Sequence, residues 1–164
     1  MIKFDRFDSE LLSVLEVSGW STERDVDIAH WVEQLKLDGF DAHGLALEVL
    51  RSFGGLSIAP VREDGPNFSN DDPLNFDPAA GGFGQRSLAS EVESILGGNF
   101  YPIGEWLSHS SVFVESGGMV VATGMGWIWG LGDTFEDALQ LAVCANRPLR
   151  CLYTSPGLEP WPKI

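Results

Sequence analysis

Three histidines, two cysteines and a scatter of carboxylates are the side chains with chemistry to offer in this 164-residue chain. His30, His43 and His109 are separated by 13 and 66 positions and none belongs to an H-E-x-x-H or H-x-H pattern, so each reads as a structural histidine rather than a metal ligand. Cys144 and Cys151 do not form a C-x-x-C pair, and Cys144 falls in the apolar part of a predicted helix, where a thiol is buried and inert. No G-x-S-x-G elbow offers a nucleophilic serine. Gly124-Met125-Gly126 and Gly130-Leu131-Gly132 do not continue as G-x-G-x-x-G into a helix, and Gly81-Gly82-Phe83-Gly84 lacks the Lys-Ser or Lys-Thr of a phosphate loop. Glu63, Asp64, Asp71, Asp72 and Asp77 could hold calcium or act as paired acids, but without an EF-hand spacing they read as solvated loop charges. The expectation is a protein with no catalytic residue, no metal site and no cofactor.

Charge says more. Twenty-four acidic residues against ten basic ones leave a formal net charge of −14. A phosphate-binding surface needs clustered Lys and Arg to displace counterions, and the basic residues here are scattered singly, which argues against nucleic acid and anionic membranes as partners. An acidic surface does speed encounter with a basic protein. The imbalance is uneven: residues 1–78 hold 16 acidic and 6 basic side chains, net −10, whereas residues 79–164 hold 8 and 4, net −4. A partner surface is therefore expected in the first half, on the loop acids Glu63, Asp64, Asp71, Asp72 and Asp77 together with Asp25 and Asp27. Two unpaired cysteines fit a reducing compartment, no apolar run approaches the ~18 residues of a spanning helix, and Met1 is followed by charged residues; the expected location is the cytoplasm.

The elements that must position these residues follow from periodicity. Phe7, Leu11, Val14 and Leu15 mark an amphipathic helix ending near Gly19. Ile28, Trp31, Val32 and Leu35 mark a second, with Thr22 or Asp25 as its cap and Gly39 as its stop. Asp41 is the candidate cap of a third, carrying Ala42, Leu45, Ala46, Val49, Leu50 and Phe53 and closed by Gly54-Gly55. Leu56 to Val61 reads as a strand of about six residues. Residues 62–86 have the composition of turns, with Leu74 to Phe76 expected to pair briefly with a sheet. Ser87 or Ser90 would cap a helix bearing Leu88, Val92, Ile95 and Leu96.

Ser111–Glu115 and Met119–Thr123 around Ser116-Gly117-Gly118 form a β-hairpin, followed by a strand over Trp127–Leu131. In that strand Trp127 and Trp129 share one face and Ile128 takes the other, so it should lie centrally or under helices, its tryptophans packing in the core. Asp133 or Thr134 caps a last helix with Glu136 at capping-box spacing from Asp133; Asn146 and Pro148 stop it. Strands joined by tight turns favour antiparallel pairing. The predicted class is α+β: a single domain over residues 1–164, one mostly antiparallel sheet with helices packed against it.

Several short motifs recur in a familiar order: Gly19-Trp20 with Arg24, Phe53-Gly54-Gly55-Leu56, Phe76-Asp77-Pro78, Tyr101-Pro102-Ile103-Gly104, the turn at Gly117-Gly118, and Gly132-Asp133-Thr134-Phe135-Glu136-Asp137-Ala138-Leu139. Together they resemble the SUKH superfamily, and within it the third group of SUKH immunity proteins. The chain departs from that pattern at Gly118-Met119-Val120-Val121, where no aromatic follows the hairpin glycine. The resemblance implies an SUKH-like α+β domain that neutralises a cognate toxin of a bacterial polymorphic toxin system, such as a nuclease or nucleic-acid deaminase, by binding rather than chemistry. A toxin that grips nucleic acid presents a basic cleft, which an acidic protein can occupy. The alternative from a different class is a regulatory or scaffold domain of the superfamily that binds other proteins without a toxin; a hydrolase using paired carboxylates is the third.

Overall fold

A computed structural model describes residues 1–163. A 3₁₀ turn at Phe4–Arg6 leads into α1 (Ser9–Val17), α2 (Ala29–Leu37) and α3 (Gly44–Phe53). Two short strands, β1 (Ser57–Ile58) and β2 (Leu74–Asn75), precede α4 (Pro78–Gly82) and α5 (Arg86–Leu96). Then come β3 (Phe100–Trp106), β4 (Ser110–Glu115), β5 (Val120–Gly124), β6 (Trp127–Gly132), α6 (Phe135–Cys144) and β7 (Arg150–Thr154). The strands form one sheet in sequence order, every neighbouring pair antiparallel. The α+β class, the hairpin and the last helix stand as the sequence predicts.

Three helix starts differ from expectation, those of α2 and α3 for a tertiary reason. Residues 21–28 are not helical, because the Arg24 guanidinium donates to the Ser52 and Gly54 carbonyls (2.9 and 2.8 Å) and the Val26 amide donates to the Arg51 carbonyl. That connector is tied across the end of α3, so neither Thr22 nor Asp25 caps α2; Asp27 accepts from the Ala29 amide instead. Helix α3 is capped by His43 rather than Asp41. Its Nδ1 accepts from the Ala46 amide while its Nε2 sits 2.9 Å from the Val114 carbonyl, an arrangement that assigns the proton to Nε2 and links α3 to β4. Helix α5 starts at Arg86 with no side-chain cap, ahead of both serines.

The predicted six-residue strand shrinks to β1. Beyond Ile58 the chain leaves the sheet, and the Val61 amide donates to the Val143 carbonyl at the end of α6. Leu74–Asn75 does pair, as expected. At the last helix Thr134 is the cap, accepting from the Asp137 amide. Glu136 makes no capping box: it is buried and accepts from the Lys3 amide, fastening the amino-terminal segment to α6.

Three elements, α4, β3 and β7, have no counterpart among those predicted. Asp77 accepts from the Ala79 and Ala80 amides and Pro78 opens the helix, so α4 is a single capped turn. Its Gly81-Gly82 pair lies flush on β3: a Cβ at Gly81 would strike the Gly104 carbonyl, and one at Gly82 would strike Pro102 and Leu35. Gly104 in turn abuts the backbone of Asn75 and Phe76. Pro102 is tolerated in β3 at a register shift between Pro102 and Gly104.

The core is continuous from the helices to the sheet. Trp20 stacks on Phe53 at 5.5 Å, and Phe53 meets Phe76 and Phe135 at 5.2 Å each. The Trp20 indole donates to Ser52 Oγ at 3.0 Å. Strand β6 is flanked by β5 and β7 and packs under α6, and Trp127 and Trp129 stack on one face, as the alternation predicts.

Candidate partner-binding site

None of the seven acids singled out in the sequence enters an ion pair among the described residues, and all but the half-buried Asp72 are exposed. The use made of the arginines sharpens this. Arg24 and Arg147 direct their N–H groups to main-chain carbonyls, Arg24 to Ser52 and Gly54, Arg147 to Leu131 and Asp137. Burial lowers the pKa of both. Arg86 lies over the Phe40 ring and pairs with Glu93, while Arg62 joins Glu10 to the Cys144 carbonyl. Four of the ten basic residues thus hold the fold together, and the carboxylates of the connector and the β1–β2 loop enter no ion pair among the described residues.

The structure divides the seven acids into three groups. Asp25 and Asp27 line an open groove of about 780 Å³ between the 25–28 connector, α2 and α3. Its apolar lining is Val26, Ile28, Val32 and Leu47; Glu33 adds to the acidic side, with Lys36 and Arg51 opposing it in charge. Asp72 and Asp77 flank β2. Asp72 accepts from the Ser108 amide and lines a small cavity with Glu105 and His109, and Asp77 lines a larger one with Trp31 and Glu105. Glu63, Asp64 and Asp71 belong to the β1–β2 loop, which an isolated bridge between Asp64 and Ser69 closes on itself. Helix α2 joins the first two groups, presenting Val32 and Glu33 to the groove and Trp31 to the Asp77 cavity.

These positions are not equivalent. Asp77 caps α4 and Asp27 accepts from the Ala29 amide at the start of α2, so each has a structural duty beside its charge. Asp64 accepts from Ser69 Oγ at 2.7 Å. The side chains that sequence reasoning missed are Val26, Val32, Leu47 and Glu33, which give the groove a mixed apolar and acidic lining. A signal was present: the α2 stripe continues through Trp31 and Val32, which stay half-buried.

No histidine cluster forms among the described residues. His30 is exposed beside Trp31, His43 caps α3, and His109 lies 3.5 Å from Glu105. No group of three or more metal-ligating side chains occurs among the described residues. Cys144 and Cys151 are both free thiols, and burial, reinforced by Asp8 and Glu10, pushes Cys144 up to about 12.

The motifs that carry the family resemblance interlock inside the fold. Arg24 grips the Gly54 carbonyl, Gly104 receives α4, Asp77 caps that helix, and a Cβ at Gly132 would strike the Ala138 amide at the start of α6. A family model described as SUKH-3 immunity protein matches residues 7–143, which spans every one of these contacts. The chain belongs to the SUKH-3 immunity protein family. Comparison with curated proteins and with solved structures gives no match. In this SUKH-3 protein the motif residues build the scaffold, and the groove and loop acids, Asp77 apart, lie outside the motifs. No helix among the described residues is long and apolar enough to cross a membrane.

Proposed function

We propose that this SUKH-3 protein neutralises a cognate bacterial toxin by direct binding, without chemistry of its own, in the cytoplasm of the cell that makes both. The toxin is a basic protein of the nuclease or nucleic-acid deaminase kind. The observation that carries this reading is the set of unpaired carboxylates, all but Asp72 exposed, in a chain of net charge −14, two of whose seven arginines, Arg24 and Arg147, are spent on main-chain carbonyls. Long-range attraction brings the basic toxin to Asp25, Asp27, Glu63, Asp64, Asp71, Asp72 and Asp77, and the apolar lining of the α2–α3 groove supplies short-range fit.

The test is association kinetics with the purified toxin encoded beside this gene. Replacing Asp25, Glu63, Asp64 and Asp71, whose side chains cap no helix, by Asn or Gln is expected to slow association about tenfold or more at low salt and to flatten its salt dependence. An unchanged association rate assigns the interface elsewhere.

A further inference from the structure

Helix α2 carries Trp31 to a cavity of about 480 Å³ at the β1 edge of the sheet, which shares no lining residue with the α2–α3 groove. Its charge is one-sided: Asp77 and Glu105 line it, and among the described residues no Lys, Arg or His does. The groove, by contrast, sets Lys36 and Arg51 against its acids. A Cβ on Gly55, at the rim of the cavity, would lie 3.9 Å from the Arg24 guanidinium, but that group is turned to the Ser52 and Gly54 carbonyls.

Glu105 is the telling member. It stands on β3 opposite Asn75 of β2; its side chain is 20% exposed, and its ion pair is with His109, which is 87% exposed and charged only when protonated. A carboxylate so largely withdrawn from water ordinarily holds a firm cationic partner. Asp77 has capacity to spare as well: the Ala79 and Ala80 amides both donate to its Oδ1, and Oδ2 has no partner among the described residues. The Trp31 ring beside them is half-buried and held by the close approach of Gly54, where a Cβ would strike it. His30 lies 4.8 Å from that ring, outside the cavity lining. Two carboxylates beside a fixed indole suit a cation that is flat and weakly hydrated. A guanidinium stacks on an aromatic ring and forks onto a carboxylate, whereas an ammonium is a compact, strongly hydrated point charge.

We propose that the cavity bounded by Trp31, Asp77 and Glu105 is a receptor for an arginine side chain on the surface of the basic toxin. For the identity of the protein that supplies the arginine, this rests on the function proposed above; the chemistry of the cavity is tested without the toxin. Tryptophan and arginine are the residues on which binding energy concentrates in protein interfaces, so one arginine seated here would anchor an encounter that the other acids guide.

The probe is arginine blocked at both ends, N-acetyl and amide, so that its side chain carries the only charge, titrated into the isotope-labelled full-length protein and followed by NMR. Saturating shifts are expected at the Trp31 indole and at the Ser57, Asn75 and Ala79 amides. Blocked lysine is expected to bind about fivefold more weakly, and blocked citrulline, the uncharged counterpart of arginine, at least tenfold more weakly, a comparison that needs no variant to fold. Glu105→Gln, and Asp77→Asn, which keeps a helix cap, are each expected to weaken arginine binding about fivefold, whereas Glu16→Gln on the exposed face of α1 leaves it within about twofold. Absence of a saturating response at these signals, citrulline or lysine binding as tightly as arginine, or binding indifferent to Glu105 and Asp77 overturns the proposal. The toxin is read separately. If arginine binds as expected but the toxin does not bind this protein, the toxin reading falls and the receptor stands; if the toxin binds the unaltered and Glu105→Gln proteins alike and arginine gives no response, the receptor falls and the toxin reading stands.

Discussion

The Arg24 guanidinium donates at 2.8 Å to the Gly54 carbonyl, thirty residues further along the chain, and its other amino group donates to the Ser52 carbonyl. This fork fixes the connector that carries Asp25 and Asp27 against the end of α3, and so sets one wall of the groove. Gly54 admits the arrangement because a Cβ there would meet the Trp31 ring and the Leu50 carbonyl.

Lysine cannot reproduce that fork. Arg24→Lys is expected to lower stability by about 2 kcal/mol, the range for hydrogen bonds from a charged donor, whereas Arg51→Lys on the exposed face of α3 changes it by less than about 0.5 kcal/mol. Chemical denaturation of the two variants checks the contrast.

The glycine contacts between α4 and β3 separate packing from backbone freedom. Gly81→Ala places a methyl against the Gly104 carbonyl and is expected to cost about 3 kcal/mol. Gly44→Ala, at the start of α3 with open space around it, is expected to be neutral or to stabilise by up to about 1 kcal/mol. Thermal melts that rank these two the other way contradict the packing.

Burial pushes Tyr101 up to about 12, from an ordinary value near 10, and its hydroxyl has no hydrogen-bond partner among the described residues. The folded state therefore holds the phenolic proton more tightly than the unfolded chain does. The sign is fixed by linkage: this contribution is complete below pH 10 and is lost as pH rises from about 10 towards 12. Cys144, raised to about 12 from 9.0, acts in the same direction over a window that opens lower. In a Tyr153→Phe background, where Tyr101 is the single tyrosine, tyrosinate absorbance is expected to appear only near pH 12 or together with unfolding. Tyr101→Phe is expected to keep stability within about 1 kcal/mol at neutral pH and to blunt the alkaline loss.

His43 joins two elements through one ring. His43→Asn can still accept from the Ala46 amide but is too short to reach the Val114 carbonyl from the same place, whereas His43→Ala loses both contacts. The expected order of stability is wild type, then Asn, then Ala, with the full span about 2 kcal/mol. Equal stabilities for the three remove His43 from the link between α3 and β4.

Periodicity made α1, the hairpin of β4 and β5, β6 and α6 legible, because each couples a regular apolar stripe to a local turn or cap signal. What failed was governed by distant partners. The start of α2 depends on Arg24 reaching Ser52 and Gly54, and the cap of α3 depends on Val114 accepting the other side of His43. Pro102 and Gly104 hid β3, since both argue locally against a strand and are accommodated by a register shift and by the approach of other backbone. Strand β7 did carry a signal in Cys151-Leu152-Tyr153-Thr154, β-prone residues set between Pro148 and Pro156. At the site, charge alone picked out Asp25 and Asp27, but the apolar lining contributed by Val26, Val32 and Leu47 emerges only when α2 and α3 are brought together.

Neutralisation by binding consumes one protein per toxin, and titration of the toxin's own activity measures that ratio. Adding this protein in increasing amounts to a fixed concentration of active toxin is expected to abolish activity at a stoichiometric end point, with recovery when the complex is dissociated. Complete and lasting inactivation by a small fraction of an equivalent would mean that the protein acts by turnover and not by binding.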